Sequence, residues 1–160
     1  MPNLELNSYG RPGSVTQSGA RVKTIYCDGK LAAGLPLKHN AEGRAVELEA
    51  GDTFADFIGV LVADPAGWAP TFDFEMRGAL DTGFIQVTLA EGISPKTNDL
   101  VYYDPAKHVF TNTSTDGAIQ LPALFAVDGV GSGVGEIRVF PSLPPAATTA
   151  TVPEENTDTP

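Results

Sequence analysis

The sequence predicts an all-β protein: a compact β-barrel or β-sandwich with an extended N-terminal arm and a flexible C-terminal tail. Three observations carry this expectation. Short β-type segments follow one another through residues 83–140, separated by Gly, Pro and Asn/Asp turns. Gly and Pro are abundant, 17 and 13 among 160 residues. Gly supplies positive φ and Pro lacks an N–H donor, so both punctuate strands and end helices. No stretch carries a helical period longer than about three turns. The length suits one domain with a sizeable core, divided as an arm over 1–20, a β-rich domain over 21–140 and a tail over 141–160.

In the arm, Leu4 and Leu6 alternate with Asn3, Glu5 and Asn7, and a Gly-Arg-Pro-Gly-Ser turn comes directly after. Such a segment either adds as a strand to a partner's sheet edge or frays as a terminus. Regular patterning begins at Arg21. Arg21–Cys27 has strand character, and Asp28-Gly29 is a dipeptide that closes tight hairpins. Ala45–Glu49 alternates, which places Val46 and Leu48 inward and both glutamates outward. Phe57–Val62 is a continuous apolar run suited to a strand buried on both faces, with Gly59 marking a bulge or a close backbone approach. Residues 64–70 form a loop, since two prolines and a glycine forbid regular pairing; its Trp68 is expected as a lid on the core rather than an exposed anchor.

Phe84–Leu89 alternates, with Ile85, Val87 and Leu89 on one face. Leu100–Tyr103 and His108–Thr111 flank Asp104-Pro105-Ala106-Lys107 as a hairpin. Ile119–Val127 carries Pro122, which argues for an edge or broken strand. A glycine-rich turn then feeds a last strand with Ile137 and Val139 inward. The expected core is Val46, Leu48, Phe57, Ile58, Val60, Ile85, Val87, Leu89, Val101, Ile137 and Val139. After Phe140 the chain is rich in proline and threonine, has no Lys or Arg, and carries acids near its end. Its composition cannot offset the entropy of ordering, hence the expectation of a flexible tail.

The formal charge is −10, from 20 acids against 10 bases. That sign repels phosphate backbones and anionic lipid, so neither nucleic acid nor membrane is an expected partner. No apolar run approaches the ~18 residues of a membrane span. The N-terminus has neither a basic nor an apolar leader region. Cys27 is alone, which excludes an intramolecular disulfide and fits folding in a reducing cytoplasm.

Chemistry-bearing patterns are missing from the sequence. His39 and His108 fall in no metal-ligand spacing. Residues 129–135, GVGSGVG, lead into Glu136 and a β-type segment, whereas a phosphate-cradling loop needs a helix N-terminus. Ser132 lacks the glycines two positions away that a nucleophile elbow requires. Asn112-Thr113-Ser114 is a chance sequon in a chain without a secretory signal. The expectation is a non-enzymatic protein with no cofactor and no metal.

Taken in order, several segments carry a resemblance. They are Tyr9-Gly10-Arg11-Pro12-Gly13-Ser14-Val15, Gly34-Leu35-Pro36-Leu37, Gly43-Arg44-Ala45-Val46 and Phe57-Ile58-Gly59-Val60 in the first half. In the second half they are Gly83-Phe84-Ile85-Gln86-Val87, Asn98-Asp99-Leu100-Val101-Tyr102-Tyr103 and Gly135-Glu136-Ile137-Arg138-Val139. Over about residues 8–140 the chain resembles the capsid cement, or decoration, proteins of tailed bacteriophages. Asn98-Asp99 stands where that family usually has Gly-Asp, and Phe140 replaces a terminal leucine. The resemblance implies a protein made in the host bacterial cytoplasm that binds the outer surface of the mature capsid and bridges subunits of the major capsid protein. It implies self-association, as a homotrimer in preference to a dimer. The arm residues Leu4, Leu6, Tyr9, Arg11, Pro12 and Val15 are then the expected capsid contacts. The alternative is a carbohydrate-binding β-sandwich module on a virion or cell surface, with Trp68, Tyr102 and Tyr103 as stacking platforms. A small acidic hydrolase using two carboxylates is a third possibility.

Overall fold

The computed structural model describes residues 12–16, 19–63, 74–127 and 133–141. Among these residues all regular structure is β. The strands are β1 (Arg21–Asp28), β2 (Pro36–His39), β3 (Ala45–Glu47), β4 (Gly59–Leu61), β5 (Phe74–Thr88), β6 (Leu100–Asp104), β7 (Val109–Thr111), β8 (Ile119–Val127) and β9 (Val134–Val139).

The long strand β5 belongs to two sheets. Its first part closes a five-stranded barrel in the order β1-β3-β2-β4-β5, with β5 returning to pair antiparallel with β1 from Phe74 to Thr82. Its second part, Gly83–Thr88, pairs with β9 and opens the sheet β5-β9-β8-β6-β7. That sheet curls back on itself. Leu89, just past β5, forms a parallel bridge with Phe110 of β7, and the Ala90 N–H donates to the Phe110 carbonyl at 2.8 Å. Gly83 stands where β5 changes partner. Its φ is +129°, and a Cβ there would lie 3.0 Å from Ala20, so only glycine suits the site.

Alternation along β4 and β5 separates two cores. Leu61 and Ala79 fill the barrel with Ile25, Cys27, Leu37 and Ala45. Val60 and Leu80, one residue away on each strand, point the other way into a larger core with Ile85, Val101, Tyr103, Phe110, Phe125 and Ile137. Of the apolar run at 57–62, only the strand Gly59–Leu61 is buried on both faces; Phe57, Ile58 and Val62 flank it half-buried. Gly59 permits the close approach of the two strands: a Cβ would sit 2.8 Å from the Leu80 carbonyl oxygen. Arg77 of β5 donates to the carbonyls of Leu31 at 3.0 Å and Val62 at 3.2 Å, tying two connections to the barrel wall.

Several expectations need correction. The chain does turn at Gly29, with φ +80°, but no β1–β2 hairpin forms. Both edges of β1 are used by β5 and β3 to close the barrel, and β2 pairs with β3 and β4 instead. The segment with Pro122 is neither an edge nor a broken strand: β8 runs unbroken between β6 and β9. Proline is tolerated because the β6–β8 register shifts between Leu100 and Tyr102, where the missing N–H falls. Val46, Phe57, Ile58 and Leu89 are only partly buried. On β3 it is Ala45 that enters the barrel, while Glu47 turns inward to a polar partner. The hairpin at 104–107 is as expected, with Asp104 Oδ1 accepting from the Ala106 and Lys107 N–H groups at 3.0 and 3.3 Å. Trp68 and Ser132 lie outside the described residues.

Candidate interaction surfaces

The described end of the N-terminal arm is part of the fold. Val15 forms an antiparallel bridge with Ile85 on β5. Gly13 N–H donates to Gln86 O at 2.7 Å, Gln86 N–H to Ser14 O at 2.9 Å, and Thr16 N–H to Phe84 O at 3.2 Å. Ala63 N–H donates back to Gly13 O at 2.9 Å. In this bonding pattern the N–H and C=O of Val15 itself are directed away from β5, and the residue is 37% exposed. Pro12 packs on Gly34, where a Cβ would lie 2.7 Å from the proline ring. Of the arm residues picked out by sequence, Pro12 and Val15 are therefore brought onto the β5 side of the fold. Leu4, Leu6, Tyr9 and Arg11 lie outside the described residues.

A second surface was missed by sequence reasoning. Val22 and Tyr26 of β1 and Met76 of β5 are 47%, 56% and 61% exposed. Register places Tyr26 directly opposite Met76, and Val22 opposite Leu80 on the same face. A signal existed in Arg21–Cys27: Val22 and Tyr26 occupy one parity while Ile25 and Cys27 occupy the other, so both faces carry apolar residues. Ile25 and Cys27 enter the barrel, and the side bearing Val22 and Tyr26 is left to solvent.

Electrostatic detail concentrates at two places. Arg21 Nε and Nη2 donate to the two oxygens of Asp81 at 2.7 Å each, and Lys23 Nζ lies 2.9 Å from Oδ2. The Arg21 hydrogen bonds, working against burial and aided by Lys23, pull the Asp81 carboxyl down to about 2. At the other place, Glu47 Oε1 accepts a short hydrogen bond from the Tyr103 hydroxyl and stands 2.5 Å from His108 Nδ1. Burial, then the Glu47 carboxylate, pushes the Tyr103 hydroxyl far above its ordinary range. A phenol so held is a donor and a poor nucleophile, and the trio ties β3 to the β6–β7 hairpin. His39, at the end of β2, is exposed on the rim of a groove. Among the described residues no three His, Cys, Asp or Glu side chains group as a metal site.

Tyr103 is fully buried against Phe110, ring centroids 5.1 Å apart. It is therefore unavailable as a stacking platform for sugars, which removes one of the aromatics on which the carbohydrate reading depends.

No protein-family model and no curated protein matches the sequence. Among solved structures, a chain of "The capsid of Myoviridae Phage XM1" is similar in fold. Its TM-score is 0.71 at 21% identity, over 83% of this chain and 91% of that one. At this identity the likeness is one of fold.

Proposed function

We propose that this chain is a non-enzymatic virion structural protein. It binds the outer surface of a mature phage capsid and stabilises the shell by bridging subunits of the major capsid protein. The observation that carries this reading is the likeness of fold, over most of both chains, to a protein of a phage capsid. The resemblance of the sequence segments at 9–15, 57–60, 83–87 and 98–103 points the same way. The net charge of −10 favours the outer face, since an acidic surface is repelled by packaged DNA.

The mechanism is linkage. A protein that binds only the assembled, expanded shell stabilises that state by mass action, without any chemical step. Contacts come from the arm residues Leu4, Leu6, Tyr9 and Arg11 together with Pro12 and Val15, the last carrying an outward strand edge. Copies of the chain associate around local symmetry points, as trimers in preference to dimers, and the exposed Val22, Tyr26 and Met76 supply apolar area for contact.

Sedimentation with expanded shells stripped of decoration tests this directly. The full-length protein co-sediments and raises the temperature at which the shell releases DNA. A chain lacking residues 1–11 keeps its fold, because the Gly13–Thr16 pairing remains, but binds more weakly. Equal binding by the two would exclude the arm. Failure of the full-length chain on the shell of its own phage would exclude the capsid role.

A further inference from the structure

Between the barrel and the second sheet lies a groove of about 450 Å³. Phe54 and Phe57 approach it from the connection before β4, Arg21 and Lys23 from β1, and Phe140 and Pro141 from the chain just past β9. Its apolar part is aromatic, and Phe54 is 43% exposed there. Its charged part is cationic toward solvent, because Asp81 is buried beneath Arg21 and Lys23, whose own side chains stay mostly exposed.

The described residues end in this groove at Phe140 and Pro141, and that end is held in place. Phe140 N–H donates to the Pro122 carbonyl at 2.9 Å. The Arg138 guanidinium stands 4.8 Å from the Phe140 ring and 5.5 Å from the Phe84 ring, holding both aromatics in place. Beyond Pro141 the sequence reads SLPPAATTATVPEENTDTP, with Leu143-Pro144-Pro145 at its start, Glu154, Glu155 and Asp158 near its end, and no basic residue.

We propose that this C-terminal segment, residues 142–160 of the same chain, docks in the groove at its own root. Proline-rich segments lose little entropy on binding and lay their rings on aromatic walls, which Phe54, Phe57 and Phe140 provide. From Pro141 to Glu154 a coil-like chain would span roughly 20 Å, and Arg21 and Lys23 line the same groove as Pro141, so the acids can fold back to them. On a molecule of charge −10, exposed paired cations are a place where an anionic segment is attracted rather than repelled. Tethering raises the local concentration of the segment to the millimolar range, so weak intrinsic affinity is enough for occupancy. Composition by itself predicts a free tail; the groove supplies the apolar partner that the tail lacks.

Paramagnetic relaxation on the full-length chain tests the proposal. A nitroxide is attached at Thr151→Cys; Cys27 is fully buried in the barrel and does not compete for the label. In dilute isotope-labelled protein, the amide signals of Lys23, Phe54 and Ala55 lose intensity, while those of the distant β6–β7 hairpin do not. Combining E154Q, E155Q and D158N restores much of that intensity. In a mixture of spin-labelled chains without isotope and isotope-labelled chains without nitroxide, no loss occurs. Undiminished signals in the first sample would overturn the docking. Loss that appears in the mixture as well would assign the groove to a neighbouring copy and overturn the intramolecular arrangement. An unchanged loss in the acid-neutralised variant would overturn the role given to the carboxylates.

Discussion

Gly59 shows how one residue sets the distance between two strands. Its φ is +151°, and an added methyl would meet the Leu80 carbonyl oxygen at 2.8 Å, which is backbone and cannot step aside. Gly59→Ala is expected to cost more than about 2 kcal/mol in urea denaturation. Gly92 is the contrast: its φ is +75° and nothing lies within 4 Å of where a Cβ would stand. Asn tolerates that conformation, so Gly92→Asn should change stability by less than about 1 kcal/mol. Asp81 gives a pH signature. Its folded-state value of about 2 lies below the ordinary 3.8. Its contribution is therefore fully present above about pH 4 and is lost as pH falls through the folded value. The stability difference between wild type and Asp81→Asn should shrink steadily across that interval in acid titrations followed by denaturation. Patterning made Gly59 legible as a close approach. It did not reveal the Asp81 cluster, because Arg21 and Asp81 are sixty residues apart in sequence and only barrel closure joins them.

Individual elements were legible where a local rule governs them. The 104–107 hairpin follows from Asp104 accepting its own turn amides, and the strands at 84–89 and 135–140 follow from two-residue alternation. Pro122 misled because its effect depends on a register shift in the neighbouring ladder, which no local pattern announces. The arm was legible only in part. Its extended character is real at Gly13–Thr16, but the edge it completes is β5 of its own chain. Four backbone hydrogen bonds hold that piece, each with a net contribution of about 1 kcal/mol. Deletion of residues 1–20 is thus expected to destabilise the domain by several kcal/mol, whereas deletion of 1–11 should leave its melting temperature nearly unchanged. Scanning calorimetry of the two truncations separates these outcomes, and amide exchange at Gln86 should rise only in the longer one.

At the scale of the whole molecule, the two cores are coupled through β4 and β5, whose alternate side chains feed one core each. Leu80→Ala should cost about 2–5 kcal/mol and leave a single unfolding transition, with circular dichroism and tyrosine fluorescence coincident. Two separate transitions would show that barrel and sheet unfold independently. The all-β class was readable from turn residues and strand patterning. Barrel closure was not, because it rests on a β1–β5 pairing between strands some fifty residues apart and on a parallel β1–β3 contact with no hairpin signal. The candidate contact surface divides in the same way: the arm is announced by its composition, whereas the exposed Val22, Tyr26 and Met76 emerge only once β1 is seen to have one face inside the barrel.

The shared strand also decides how the molecule carries load. β5 is fifteen residues long, a span of about 50 Å in extended chain, and it is hydrogen-bonded to β1, β4 and β9 in turn. Tension applied along it strains these ladders in shear, many bonds at once, instead of peeling them one at a time. A pull along β5 is thus met by three ladders together, while the β1–β3 contact, a single pair, has the least to resist with.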